Sequence, residues 1–212
     1  MKRQRLPSSY PHVAICVDEF RAHGRGVMRG IADYVETHGP WLLLLDPLAD
    51  SKYPEGRSEN WGGDGILTYI QDRSRALRLR HRGIPTVELF GYRDDNTLPL
   101  VSHDDRAIGW LAAEHLTKCN FHHLAFCGYR QAIWSDRRRL GFVEFATGAG
   151  CPSPNCLSIE HRQLFVDRER IEEELAAWLR ALPKPVGLMA CSDSHAQTIL
   201  DACLRVKLSV PD

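Results

Sequence analysis

The chain has 212 residues, 43% of them hydrophobic and 25% charged, with 27 basic side chains against 27 acidic ones. This composition excludes a disordered chain, and no basic excess marks a nucleic-acid-binding surface at the level of the whole chain. No apolar run reaches the roughly 18 residues of a membrane helix, and the N-terminus lacks the apolar segment of a signal peptide.

The opening residues 1–11, beginning "MKRQR", read as a flexible, solvated tail. "HVAICV" (12–17) reads as a strand. "GRGVMRGIADYVETHG" (24–39) carries Val27, Ile31, Tyr34 and Val35 at helical spacing and stops at Gly39-Pro40. "WLLLLD" (41–46) and "DGILTYI" (64–70) are further strands, "SRALRLRHRG" (74–83) a short helix, and "IPTVELFG" (84–91) a fourth strand. A fifth strand is expected at "LPLVSHD" (98–104), followed by a helix over 105–120. The cycle then restarts. "HLAFCG" (123–128), "CLSI" (156–159) and "VGLMACS" (186–192) read as strands, and 136–150, 167–182 and 194–207 as helices.

Strands alternating with helices predict an α/β fold with parallel sheets. The apolar runs are nearly continuous, as in strands buried on both faces. Two series of such units predict two Rossmann-like lobes, an N-terminal ligand-binding lobe over 12–119 and a C-terminal one over 120–212. The ending "LSVPD" normally leads into another strand, so the second lobe is expected to be incomplete. Seven cysteines are scattered without a C-x-x-C pair. Cys16, Cys127, Cys191 and Cys203 stand in apolar contexts, and all seven read as reduced thiols of a cytoplasmic protein.

Strand, glycines and helix at 12–39 raise the question of a dinucleotide site. The fingerprint is G-x-G-x-x-G directly after the strand, whereas Gly24, Gly26 and Gly30 are spaced G-x-G-x-x-x-G behind "DEFRAH". Asp18 and Glu19 at the strand end would repel a pyrophosphate. The glycines read instead as packing residues, Gly24 and Gly26 for close approach and Gly30 for seating the helix on the sheet. Asp46 loses its role as a ribose partner. "SDSH" (192–195) holds the residue types of a hydrolase triad, but sequence neighbours cannot form that geometry and there is no G-x-S-x-G elbow. His103, His115, His122, His123 and His161 lack zinc-ligand spacing, so no metal is expected.

Ligands of parallel α/β sheets bind beyond the carboxyl ends of the strands. The polar residues there are Asp18 and Glu19, Gly91 to Arg93, His103 to Asp105, Tyr129 to Arg138 with Trp134, and Ser192 and Asp193. Carboxylates, an arginine and an indole together suit a polyol: charged groups bond to several hydroxyls and the indole face stacks on C–H bonds.

These residues resemble a known family. "VSHDDRAIGWLAAEHL" (101–116) is similar to the V-x-x-D-N/D-x-x-x-G-x-x-A-x-x-H-L segment of LacI/GalR-type effector domains. "DRRRLGFVEFATGAG" is similar to their R-x-x-G-F-x-x-A helix, and "GLMACSDSHAQTILDACLRVKLSVPD" to their strand, N/S-D and helix ending in L-x-V-P-D. "AHGRGVMRGIADYVETHGPW" resembles the opening of the xylose operon regulator group. The resemblance runs over nearly the whole chain. It implies a periplasmic-binding-protein-like fold, with a sugar between two lobes and a DNA-binding module fused to the effector domain.

It further implies a ligand set of Asp104, Arg138 and Asp193, with Trp134 before the second helix and Asp18 and Glu19 at the first strand end. Asp105 and Ser192 depart from the usual asparagines. The implied function is a sugar-sensing effector domain of a transcription regulator, binding xylose or a similar monosaccharide. It would be dimeric and cytoplasmic, without enzyme activity or cofactor, and would reach operator DNA through an AraC-type module outside the chain. Two alternatives are a transport-type sugar-binding protein, against which the missing signal peptide and the cysteines speak, and a nucleotide-dependent α/β enzyme, against which the glycine spacing speaks.

Overall fold

The computed structural model of the chain describes residues 10–17, 22–45, 61–160 and 167–211. Contacts divide the chain into two compact units, Met1–His103 and Asp104–Asp212.

The first unit is built in the order β1 (His12–Cys16), α1 (Ala22–His38), β2 (Leu42–Leu45), β3 (Gly65–Thr68), α2 (Arg73–His81), β4 (Thr86–Glu88). Its sheet has the order β2-β1-β3-β4, all parallel. Successive side chains of a strand point to opposite faces. Ala14 and Cys16 of β1 therefore pack with Ile66, Ala76, Leu79 and Ile84 on the α2 side. Ile15 and Val17 pack with Tyr69, Val27, Met28 and Ile31 on the α1 side. β1 is buried on both faces, as its unbroken apolar run predicts. β2 departs from that rule: it is an outer strand, and Leu42, Leu43 and Leu45 are exposed.

Two local devices set α2. Asp72 precedes it, and its carboxylate accepts from the N–H groups of Ser74 at 3.0 Å and Arg75 at 3.2 Å. The hydrogen bond from the Ser74 hydroxyl, with these backbone donors, holds the Asp72 carboxyl below its usual range. Gly83, at φ +64°, releases the chain from the helix in a conformation that favours glycine. The strand expected at 98–104 shrinks to a single parallel bridge between Glu88 and Leu100. The Glu88 N–H donates to the Pro99 carbonyl and the Val101 N–H to the Glu88 carbonyl. Pro99 itself has no N–H with which to extend a ladder.

The second unit runs α3 (Asp105–Lys118), β5 (His123–Tyr129), α4 (Ile133–Gly148), β6 (Asn155–Ile159), α5 (Arg168–Ala181), β7 (Val186–Ala190), α6 (Asp193–Arg205). Its sheet is parallel in the order β6-β5-β7. Phe126, Phe142, Ile171, Leu175, Ile199 and Ala202 form the centre of one continuous core.

The contacts divide the chain after His103, whereas the sequence predicts the boundary at 119/120. The helix α3 belongs to the second unit because it crosses α4 with backbone against backbone. A methyl group on Gly109 would collide with the Arg138 carbonyl, and one on Gly141 with the Arg106 carbonyl. Ala113, fully buried, joins the second core.

The glycines of α1 need correction. Gly24, Gly26 and Gly30 all lie inside the helix. Gly24 is buried, but a Cβ on Gly26 or Gly30 would meet nothing within 4 Å. Neither of these two therefore packs the helix on the sheet.

Candidate functional site

In the second unit the carboxyl ends of β5 and β7 meet the amino ends of three helices. Asp104 stands before α3, and its Oδ1 accepts from the Ala107 N–H at 2.9 Å. The side chain is exposed at this helix start. Asp105, the first residue of α3, is buried. Its Oδ1 accepts from Nε of Arg138 at 2.9 Å and lies 2.9 Å from Nη2 in the ion pair. Nη1 of Arg138 donates to the Cys191 carbonyl just beyond β7, at 2.6 Å. The guanidinium lies 5.0 Å from the centre of the Trp134 ring, one helical turn earlier on α4. Tyr129, at the end of β5, sets its ring edge-on to Trp134, with centroids 6.1 Å apart.

The third helix start is α6. The Ser192 hydroxyl accepts from the His195 N–H at 3.4 Å, and Asp193 is exposed at the first helical position. The buried Ser135 hydroxyl accepts from the Tyr129 N–H at 3.0 Å and fixes the turn from β5 into α4.

Of the expected site residues, Arg138 and Trp134 are thus in one contact network, with Asp104 and Asp193 at the two helix starts beside it. Asp18 and Glu19 lie outside the described residues. Asp105, a departure from the usual asparagine, is the direct partner of Arg138. That pairing spans 33 positions in sequence and leaves no mark in a single chain.

His195 stands behind the network, fully buried, with Nε2 3.3 Å from the Cys127 sulfur. A thiol and an imidazole at this distance suggest a nucleophile and a base. Burial pushes the Cys127 thiol far up, and burial also raises that of Cys191, so both stay protonated and poor nucleophiles. All seven cysteines are free, with Cys16, Cys127, Cys191 and Cys203 buried. Among the described residues no group of His, Cys, Asp and Glu is placed to hold a metal ion, and no helix is long and apolar enough to cross a membrane.

The first unit holds an aromatic cluster at the corresponding strand ends. His23 stacks on Tyr69 with centroids 5.8 Å apart and touches His103 at 4.4 Å; Phe90 stacks on Tyr92 at 4.3 Å. In the same unit the Arg93 guanidinium joins the buried Glu88 carboxylate and Asp95. Tyr92, Arg93 and His103 are among the expected strand-end residues. Tyr69 and Phe90 are not, because the sequence places both inside the strands expected at 64–70 and 84–91, which end in the structure at Thr68 and Glu88. His23 follows a segment whose turn the sequence does not delimit.

Comparison with known proteins agrees with this architecture. The periplasmic binding protein-like domain matches residues 113–212. A curated relative, the xylose operon regulatory protein of Haemophilus influenzae, is 25% identical over 216 residues, covering 98% of this chain and 54% of that protein. The chain therefore spans about half the length of the curated relatives it matches.

Among solved structures, a xylose-binding transcription activator aligns with a TM-score of 0.76 and 21% identity, over 96% of this chain and 52% of that one. A LacI family transcriptional regulator from Enterococcus faecium with bound ribose aligns with a TM-score of 0.69 and 19% identity, over 94% of this chain and 74% of that one. With its two parallel α/β units, the chain has the periplasmic binding protein-like fold of LacI-type effector domains and resembles the xylose operon regulators.

Proposed function

We propose that the chain is the sugar-sensing part of a DNA-binding transcription regulator and that its effector is a pentose such as xylose. The observation that carries this reading is the network at the carboxyl ends of the second sheet. An arginine held over an indole, with acidic side chains at two adjacent helix starts, offers donors, acceptors and an apolar face together. A monosaccharide needs all three: its hydroxyls both donate and accept, and its C–H face stacks on an aromatic ring. The relatives' names, xylose operon regulators and a xylose-binding activator, support the choice of sugar.

Regulation would follow from linkage. The sugar shifts a conformational equilibrium by as much as its affinity differs between the two states, and by no more. DNA would be reached through a module outside these residues, and a homodimer would couple two such modules. Seven free thiols, four of them buried, suit the reducing interior of the cell.

Titration of the chain with D-xylose, D-ribose and NAD tests the reading through tryptophan emission, since Trp134 lies against Arg138. Saturable quenching or enhancement by a pentose and none by NAD is the expected result. A response to NAD with none to any sugar would overturn it.

A further inference from the structure

The Asp105–Arg138 pair carries an inference about what the site admits. The Asp105 side chain is 4% exposed and that of Arg138 14%. Nε hydrogen-bonds to Asp105 with Nη2 in ion-pair contact with the same oxygen, and Nη1 donates to the Cys191 carbonyl. The cation is therefore fixed in orientation between α3, its own helix α4 and the segment just beyond β7, and a carboxylate cancels its charge at contact distance. With the pair neutral, the helix starts beside it also carry the exposed carboxylates of Asp104 and Asp193, whereas Asp136 there is paired with Arg139 and Arg106 with Glu144.

We infer that Asp105 is a positioning and specificity residue: it holds Arg138 as an oriented, charge-neutralised hydrogen-bond donor, so that the site takes a neutral sugar and rejects a sugar acid. An arginine without such a partner is the side chain best shaped to grip a carboxylate or phosphate in a bidentate fork. Here the edge formed by Nε and Nη2 is already occupied by Asp105, so an incoming anion would compete with a buried carboxylate and face two more. A neutral hydroxyl needs only a lone donor or acceptor and meets no such opposition. Replacing Asp105 with the asparagine usual in the resembling family keeps the shape and one acceptor while returning a positive charge to the site.

The inference rests on the sugar-effector reading above, and its test separates the two. The full chain and its Asp105→Asn, Asp105→Glu and Asp105→Asn/Arg138→Gln variants are titrated with D-xylose and with D-xylonate and D-glucuronate by calorimetry. Their folding is followed by circular dichroism. The wild-type chain is expected to bind D-xylose much more tightly than either acid, which sets the reference ratio; tighter binding of an acid than of D-xylose overturns the inference. Asp105→Asn should shift the ratio of acid to xylose affinity at least tenfold toward the acids. Asp105→Glu, which keeps the charge but moves the guanidinium, should weaken xylose binding and leave that ratio near the wild-type value. The neutral double variant should return the ratio toward wild type.

Should the asparagine variant fail to fold, Asp105→Ser serves, being smaller and equally compatible with a helix start. A folded charge-removing variant with an unchanged ratio overturns the inference while the wild-type xylose binding stands. A wild-type chain that binds no pentose overturns the functional reading and the inference with it.

Discussion

Gly26 and Gly30 lie in the interior of α1, where a Cβ would meet open space. Glycine there lowers helix stability by about 0.5–1 kcal/mol relative to alanine. Gly26→Ala and Gly30→Ala should each stabilise the chain by about that amount, read as a higher midpoint in urea with an unchanged slope. Gly109 and Gly141 are the opposite case, since a methyl there would run into a carbonyl of the crossing helix. Gly109→Ala or Gly141→Ala should cost about 3 kcal/mol or more, because backbone must move to admit it. The four glycines are alike in the sequence. Only the neighbours brought by the fold separate the removable ones from the required ones. The same holds for Arg138, whose partner Asp105 is disclosed by the fold and not by the sequence.

At the scale of elements, the regular strands and helices were legible because burial leaves apolar runs and helical spacing leaves a period. The strand expected at 98–104 was not a regular one. Its pairing needs donors in register, and Pro99 supplies none, so one bridge is all that forms. The joint between α5 and α6 was also illegible. There the buried Glu172 carboxylate accepts from Arg168 on its own helix and from Arg205 on α6. That hydrogen bond, with the nearby negative charge, raises the Arg168 pKa. Both arginines are mostly exposed and can return to water when their partner is lost. Glu172→Ala should therefore cost about 1–2 kcal/mol rather than the larger amount due a fully buried pair. Urea unfolding of this variant against wild type measures it, and a change within error would show that the two ion pairs contribute nothing net.

At the scale of the molecule, the α/β class, the two units and the parallel sheets were readable from the alternation of strands and helices. The boundary between units was not. The helix α3 precedes the first strand of the second unit, and sequence order alone assigns it to whichever side one chooses. Packing decides: Ala113 is fully buried in the second core, and Ala112 and Leu116 pack against it. Of two truncations, 104–212 should remain soluble with a cooperative thermal transition, while 120–212 should aggregate on expression because the core loses one of its covering helices. Equal behaviour of the two fragments would move α3 back to the first unit. Among the expected site residues, Trp134, Arg138 and Asp193 belong to the second unit under either boundary, and only Asp104 is assigned to it by this division.

The crossing of α3 and α4 has a consequence on an evolutionary timescale. The space a methyl would need at Gly109 is filled by the carbonyl of Arg138, and the space at Gly141 by that of Arg106. Neither side can be relieved by trading one side chain for a smaller one, because backbone atoms cannot be mutated away. A lineage can therefore pass through alanine at either position only by moving the two helices apart. The glycines in G-x-x-A and R-x-x-G-F, which first suggested the family, are then markers of a helix crossing rather than of a ligand. Any descendant that keeps the crossing keeps them, whatever sugar it comes to recognise.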